Sequence, residues 1–358
     1  MNSIVFDCER MKYPDTGLYH YCLNLSRALQ RHADPEKEKL CCYLPPAARF
    51  TSPAGTTVLP QHPLHKYRMP DLSGHRIWHA TYQNTNYMPL RDRRIKVVLS
   101  IHDLNFLYDE KKSAAKKARY LRHLQRMVDR SDALVCISAF SKKDVQLHCH
   151  TGNKPLLVIH NGSNMLQPPA LLEKSYRPRR PFLFSIGVLH RKKNYHVLLP
   201  LLRNTPLELL IAGCHEDESY IHFIREQSRM LGVSDRLHLL GRISETEKSW
   251  YFNNCNAFAF PSLSEGFGLP VVEAMSCGKP LFLSDRTALP EIGGEVSFYF
   301  RDFSPDHMQE VFRNGMQAYH SGDLAARIQA RSYRFSWEKA AKQYLALYRS
   351  LYEENSGQ

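Results

Sequence analysis

Two glutamates eight residues apart, Glu265 and Glu273, flank the glycine-bearing stretch Gly266-Phe-Gly-Leu-Pro270 and hold the clearest candidate chemistry in the chain. The run from Phe258 to Met275 reads as a buried strand ending near Pro261, a loop carrying Glu265, Gly266, Phe267 and Gly268, and a helix opening at Leu269 and Pro270. Proline in a first helical turn loses no hydrogen bond, and the glycines let the backbone approach a ligand closely. The unpaired amides and positive dipole end of such a helix can hold an anion, a diphosphate among them. With the helix starting near Leu269, Glu265 projects from the loop and Glu273 lies one turn inside, so both reach a shared polar ligand. An ordinary strand, turn and helix with two solvated glutamates is the competing reading. A second candidate follows another strand: Gly187-Val-Leu-His-Arg-Lys-Lys-Asn194 sets Arg191, Lys192 and Lys193 where a phosphate could be neutralised, although such a run is also common on a solvated turn.

These groups need strands to aim them, because in open α/β sheets ligands bind beyond the carboxyl ends of the strands. Short β-rich runs alternate with longer helical patterns, the rhythm of doubly wound parallel sheets. The first half predicts strands at Ile4–Phe6, Leu40–Tyr43, Ile77–His79, Lys96–Ser100, Ala133–Ile137 and Leu156–Ile159. The second predicts Phe182–Ile186, Leu207–Ala212, Leu237–Leu240, Ala257–Phe260, Pro280–Leu283 and Ser297–Phe300. Between them, Gln167–Pro181 contains four prolines among basic residues and fits a linker. The expectation is two Rossmann-like domains, 1–168 and 176–335. The segment from Phe335 to Tyr352, with Trp337, Ala341, Tyr344, Leu345, Tyr348 and Leu351 at helical spacing, reads as a terminal amphipathic helix.

A chain of 358 residues exceeds what one core usually organises, and 43% hydrophobic with 23% charged residues is globular. No apolar run approaches the roughly 20 residues of a spanning helix, and no signal peptide is evident, so a cytoplasmic protein is expected. The nine cysteines show no zinc spacing and read as free buried thiols. Of the net charge of +13, residues 1–170 carry +11 (25 Lys/Arg less 14 Asp/Glu) and the remainder +2 (23 less 21). Such an excess suits a polyanion, either anionic lipid or nucleic acid. Lys111–Arg130 concentrates eight basic residues, with Ala115, Leu121, Leu124 and Val128 available for an apolar face. No recognised nucleic-acid module is present, so the sequence favours a lipid surface, with a nucleic-acid-binding protein as the alternative of a different class.

The E-x7-E pattern within Ser264–Ala274 resembles the signature of family 4 retaining glycosyltransferases of the GT-B fold, and further stretches agree along nearly the whole chain. Gly187 to Asn194 is similar to that family's G-x-x-x-x-R-K-N, whose basic pair neutralises the donor diphosphate. Lys193 matches its lysine, Lys192 stands where arginine is usual and so lacks the bidentate fork, and Arg191 is placed to compensate. Ser100-Ile-His-Asp-Leu104 resembles the segment whose histidine approaches the donor sugar, here His102. Ile137 to Ser141 resembles a V-S-x-x-S strand end, with Ser138 a candidate donor to phosphate or sugar oxygen and Ser141 a candidate helix cap. Thr16-Gly17 keeps one of two glycines that lie near the phosphates, Gly17. Gly241-Arg-Ile-Ser244 occupies the position where base and ribose are held, leaving Arg242 to face base or solvent. Val158 to Gly162 resembles a structural I-P-N-G turn, and Phe335-Ser-Trp-Glu338 a closing F-S-W whose helix, 336–358, packs back on the first domain.

The resemblance implies two domains facing across a cleft, a nucleotide-sugar substrate, and retention of the donor's α configuration. His102, Lys193 and Glu265 would be catalytic; Gly17, Ser138, Gly187, Arg191, Lys192, Arg242, Gly266, Phe267, Gly268, Leu269 and Glu273 would bind the donor. No D-x-D is present, so neither a metal nor another cofactor is expected. The nearest resemblance is to mannosyltransferases of surface polysaccharide assembly, which favours GDP-mannose and a glycan or lipid-linked acceptor at the inner face of the cytoplasmic membrane. A UDP-sugar-dependent hexosyltransferase of lipopolysaccharide or capsule assembly is the enzymatic alternative, and the paired glutamates argue against inverting or epimerase-type relatives.

Overall fold

The computed structural model describes residues 2–14, 16–46, 48, 57–164, 176–203 and 205–353. The chain divides into two compact units, 1–162 with 335–358, and 163–334. The expected linker at 167–181 lies outside the described residues up to 175.

Among the described residues the first unit holds a seven-stranded parallel sheet: β1 (Asn2–Asp7), β2 (Glu38–Leu44), β3 (Thr57–Pro60), β4 (Ile77–Ala80), β5 (Lys96–Ile101), β6 (Ala133–Cys136) and β7 (Leu156–Val158), in the order β3-β2-β1-β4-β5-β6-β7. Its inner strands are continuous buried runs, as in β4 and β6, because helices cover both faces of a parallel sheet. β3, absent from the sequence reading, is one of the sheet's two edge strands; its residues alternate between half-buried and exposed, so no apolar run betrays it. The helices are α1 (Gly17–His32), α2 (Ala114–Arg130) and α3 (Ala139–His148). Thr16 caps α1, its hydroxyl accepting the Tyr19 amide at 3.2 Å, and Ser113 caps α2 through the Lys116 amide at 3.3 Å.

The second unit holds a six-stranded parallel sheet, β8 (Phe182–Ile186), β9 (Glu208–Ala212), β10 (Leu237–Gly241), β11 (Ala257–Phe260), β12 (Leu281–Ser284) and β13 (Phe298–Phe300), in the order β10-β9-β8-β11-β12-β13. Its helices are α4 (Glu218–Met230), α5 (Glu245–Asn254), α6 (Leu269–Ser276), α7 (Leu289–Gly293), α8 (Pro305–His320) and α9 (Leu324–Ser332). α5 opens with a capping box of Ser244 and Glu247, and α6 with Gly268 in the left-handed region.

The last helix, α10 (Trp337–Glu353), belongs to the first unit and packs on α1. A buried polar network ties it to the sheet: Tyr21 Oη meets Ser100 Oγ and Tyr344 Oη, both at 2.8 Å, while His79 bonds Tyr348 Oη (2.6 Å) and Ser100 Oγ (2.7 Å). Burial drives the His79 pKa down to about 3, so the ring is neutral and its one N–H is shared within the network. Arg349 adds a two-pronged bond to the buried Glu38 carboxylate, at 2.7 and 2.9 Å. All nine cysteines are free thiols, seven of them buried. Among the described residues no helix is long and apolar enough to cross a membrane.

Candidate active site

Each sheet reverses its strand order once, between β1 and β4 in the first unit and between β8 and β11 in the second. The crevice at such a reversal lies outside the strands' carboxyl ends and is where open α/β sheets bind ligands.

In the second unit, β8 delivers Gly187 and β11 delivers the loop from Pro261 to Gly268 to that point. Gly187 sits at φ +147°, and a Cβ there would lie 2.9 Å from Tyr195 Oη and 3.4 Å from Lys193 Cε. Only glycine leaves that space open. A short 3-10 turn over Arg191–Lys193 follows, and Asn194 at φ 59° redirects the chain so that Lys193 points back over the sheet. The Lys193 ammonium forms an ion pair with Glu265, the two side chains being 12% and 14% exposed, and lies 4.8 Å from the centre of the Phe260 ring. Ser262 Oγ donates to the same Glu265 oxygen at 2.6 Å. The loop carrying the glutamate is itself anchored: the Glu265 amide donates to Thr287 Oγ1 (2.9 Å) and the Leu263 amide to the Lys192 carbonyl (2.8 Å). Gly266, Phe267 and Gly268 are buried in the turn. Gly268, at φ +99°, packs so that a Cβ would meet Leu289 at 2.9 Å, and Leu269 and Pro270 then open α6.

The other basic residues separate. Arg191 is exposed and lies over Tyr220 and Phe223 of α4, 5.6 and 5.2 Å from the ring centres, rather than beside Lys193. Lys192 is exposed and contributes its carbonyl to the loop. Arg242 is exposed beyond β10. Glu273 does not meet Glu265's lysine: its carboxylate accepts from Lys248 Nζ at 2.8 Å, and the same ammonium lies 2.8 Å from Glu245. Burial opposes the Lys248 charge, yet Glu273 and Glu245 together hold its pKa above the ordinary lysine value. Lys248 was not anticipated, because it stands 25 residues from its partner on a different helix.

In the first unit, His102 follows β5 and is 8% exposed. Its Nε2 donates to the Thr81 carbonyl at 2.8 Å, its backbone amide donates to Gln83 Oε1 at 3.0 Å, and the Tyr21 ring meets it edge-on with 4.6 Å between centres. Burial pulls its pKa down to about 4 despite the carbonyl bond. The imidazole is therefore neutral with Nδ1 left as an acceptor. Ser138 corrects an expectation. Rather than offering itself to a ligand, it is fully buried as the N-cap of α3, accepting the Ser141 amide at 3.1 Å and donating to Ser141 Oγ at 3.0 Å, while Ser141 donates to the His102 carbonyl at 2.9 Å. The capping role expected of Ser141 thus falls to Ser138, and the pair braces the histidine's backbone. Gly17 is exposed at the first position of α1.

Sequence reasoning passed over the end of β1. Asp7 is 1% exposed, accepts the Glu9 amide at 2.9 Å and meets Thr85 Oγ1 at 3.3 Å; burial pushes its pKa up to about 8. Glu9 pairs with Lys12, and the Arg10 guanidinium lies between Tyr13 and Tyr82, 4.8 and 4.6 Å from their ring centres. Only Asp7's position at a strand terminus could have signalled it.

The basic helix also differs from expectation. Leu124, Met127 and Val128 of α2 face the core, Arg130 is buried against the carbonyls of Pro89, Asp92 and Ile95, and Lys117 bonds the Leu107 carbonyl. What α2 and the turn before it present outward is charge, from Lys111, Lys116, Arg119, Arg122 and Arg126, not an apolar face.

Residues 17–165 match the pattern of Glycosyltransferase Family 4 and residues 172–314 that of Glycosyl transferases group 1. O-antigen chain mannosyltransferase B of Escherichia coli is 24% identical over 98% of this chain and 100% of its own length. GDP-mannose:cellobiosyl-diphosphopolyprenol alpha-mannosyltransferase of Komagataeibacter xylinus is 27% identical over 60% of this chain, which spans about half of that relative (56%). In fold, sucrose-phosphate synthase of Thermosynechococcus elongatus superposes with a TM-score of 0.79 at 17% identity, covering 99% of this chain and 100% of that one. With two Rossmann-like sheets reversing at the positions just described, the chain belongs to the family 4 glycosyltransferases of the GT-B fold and is mannosyltransferase-like in sequence.

Proposed function

We propose that this glycosyltransferase moves a hexose, mannose from GDP-mannose, onto a glycan or lipid-linked acceptor of surface polysaccharide assembly, with retention of the donor's α configuration and without a metal or other cofactor. The observation that carries this reading is the Lys193–Glu265 pair at the carboxyl ends of β8 and β11, beside the N-terminus of α6. As the donor bond lengthens, negative charge grows on the departing diphosphate. Lys193 and the α6 amides stabilise that charge more in the transition state than in the ground state. Glu265, released from the lysine, orients the sugar hydroxyls, and Glu273, held by Lys248, takes the ribose. The acceptor attacks on the leaving-group face and passes its proton to the diphosphate. His102, neutral, accepts a hydrogen bond from a sugar hydroxyl at Nδ1 and serves neither as acid nor as base near pH 7. Lys192 and Arg191, both exposed, supply long-range charge rather than direct grip. The mannosyl names of the relatives support the donor; a UDP-sugar is the second reading.

Thermal shift against GDP-mannose, UDP-glucose, UDP-galactose and UDP-N-acetylhexosamines tests the donor, since a ligand that binds the folded state raises its melting point. Stabilisation by UDP-sugars alone would replace GDP-mannose. Glu265→Ala and Lys193→Ala should lose transfer while staying folded, and wild-type turnover by Glu265→Ala would remove that residue from its role. Transfer should persist in EDTA; loss restored by magnesium would overturn metal independence. We further propose that the five exposed basic residues at Lys111–Arg126 hold the protein on the anionic inner face of the cytoplasmic membrane, each worth about 1 kcal/mol. Flotation with anionic liposomes should succeed at low salt and fail at high salt, and absence of binding at low salt would exclude it.

A further inference from the structure

Tyr195, at the start of the 3-10 turn Tyr195–Leu202, is wholly buried, and its hydroxyl is without a hydrogen-bond partner among the described residues. Ser185 offers it no proton, since that hydroxyl gives its own to the Ala259 carbonyl at 2.6 Å. Buried hydroxyls are almost always paired because leaving one unpaired is costly, so an orphan calls for a reason. Its surroundings supply one. The point that a Cβ on Gly187 would occupy lies 2.9 Å from Tyr195 Oη, 3.4 Å from Lys193 Cε and 3.6 Å from Lys193 Nζ. The tyrosine hydroxyl and the end of the lysine thus flank the same open spot over a glycine that no other residue could replace. In the ligand-free protein the lysine is drawn to Glu265, and the hydroxyl is left over.

We propose that Tyr195 is a positioning residue for Lys193. When an anionic ligand draws the ammonium off Glu265, the tyrosine oxygen accepts one of its three N–H groups and fixes the lysine over Gly187, with the remaining N–H groups directed at a phosphate oxygen. The orphan is then satisfied only in the ligand-bound state, so its pairing adds to ligand affinity and not to the stability of the free protein. This rests on the reading of Lys193 as the cation of the donor diphosphate.

The test is a double-mutant cycle of Tyr195→Phe and Lys193→Ala, with calorimetric titration of GDP, or of UDP where UDP is the nucleotide that stabilises the wild-type protein, alongside kcat and KM for transfer. Tyr195→Phe should melt no lower than wild type, because it deletes an unpaired buried hydroxyl. It should bind the nucleoside diphosphate about tenfold more weakly, the scale of one hydrogen bond to a charged group. In the Lys193→Ala background the same substitution should change nothing further. Wild-type affinity and kcat in Tyr195→Phe, or an equal loss in both backgrounds, would overturn the positioning role. Wild-type affinity in Lys193→Ala alone would instead strike the reading of Lys193 beneath it. A purely space-filling tyrosine moves none of these readouts.

Discussion

Replacing Asp7 by asparagine should make the protein more stable at alkaline pH and leave it unchanged in acid. The carboxyl is 1% exposed at the end of β1, and burial raises its pKa from 3.8 to about 8. A raised carboxyl pKa means that the folded protein holds a proton which the unfolded chain releases. The favourable contribution is therefore complete below pH 4 and is lost as pH climbs to about 8, beyond which both states are ionised. Four pH units at about 1.4 kcal/mol each set a ceiling of about 6 kcal/mol, and relaxation or water entry around the charge lowers it to about 2–5 kcal/mol. Asparagine copies the protonated acid. Its carbonyl can accept the Glu9 amide, as Asp7 does at 2.9 Å, and its amide can donate to Thr85 Oγ1, now 3.3 Å from the carboxylate. Urea unfolding from pH 4 to pH 9, followed by tryptophan fluorescence, reads the difference directly, because Trp78 and Trp337 are both buried in the first unit. The curves of variant and wild type should coincide near pH 4 and diverge steadily to pH 8. Parallel curves over that range would refute the protonated carboxyl and the argument from burial with it.

Three further outcomes follow from single contacts. Lys248→Met removes the cation that holds Glu273 and should weaken nucleoside diphosphate binding about tenfold, with a loss of about 1–3 kcal/mol in unfolding because Glu273 at 17% exposure is left unpaired while Glu245 at 68% re-solvates; unchanged affinity in a titration would show that Glu273 needs no such hold. Gly187→Ala forces a Cβ to within 2.9 Å of Tyr195 Oη at φ +147°, and should cost about 1–3 kcal/mol in thermal unfolding and abolish nucleotide binding; a fully active variant would show that the spot over Gly187 is not used. Arg349→Met strands the Glu38 carboxylate, 1% exposed, with the Asp34 amide at 3.0 Å as its remaining hydrogen bond among the described residues; the arginine is half exposed and screened, so a loss of about 1–3 kcal/mol in urea unfolding is expected, and an unmoved midpoint would dismiss the pair.

The strands of both sheets were legible because buried parallel strands are short apolar runs with punctuation on either side, and twelve of the thirteen described strands lie where those runs fall, with ends differing by one or two residues. β3 escaped because its four residues alternate between half-buried and exposed with no apolar run, whereas the other edge strands, β7, β10 and β13, carry one. The loop from Glu265 to Gly268 was legible for another reason: proline and glycine at a helix start have few purposes, and φ +99° at Gly268 is one of them. Side-chain direction was not legible. Three consecutive basic residues read alike, yet the turn they form sends Arg191 onto Tyr220 and Phe223 and Lys193 onto Glu265, a division fixed by the left-handed Asn194. Pairs such as Lys248 with Glu273 exist only once helices pack, and no periodicity within one helix announces a partner on the next. The apolar residues of α2 were read as available for one face, and Leu124 and Val128 do form one against the sheet, since an amphipathic pattern states that a face is buried and not against what.

The two strand reversals carry opposite electrostatics, and that contrast constrains what each can hold. In the second unit the crevice is built from full charges, Lys193 with Glu265 and Lys248 with Glu273, each mutually neutralised in the free protein. Opening the first pair exposes a cation and an anion together, so a ligand profits only if it brings a strong anion and hydroxyls within a few ångströms of each other, as a sugar diphosphate does. In the first unit the groups at the strand ends are largely neutral near pH 7: Asp7 keeps its proton and His102 lacks one, with Thr81, Gln83 and Thr85 around them, and charge enters from Glu9 with Lys12 and Arg10 and from Asp103 beside the histidine. Neutral donors and acceptors fixed by backbone bonds distinguish hydroxyl patterns without the desolvation cost that a bare ion would add. Under the proposed reading, a diphosphate belongs to the charged crevice and sugar hydroxyls, the acceptor's among them, to the neutral one. A substitution that reverses an accessible charge beside this crevice, Arg10→Glu at 23% side-chain exposure, should therefore depress acceptor saturation in transfer kinetics and leave nucleoside diphosphate affinity untouched, and an equal loss of both would show that the two crevices do not divide the substrates.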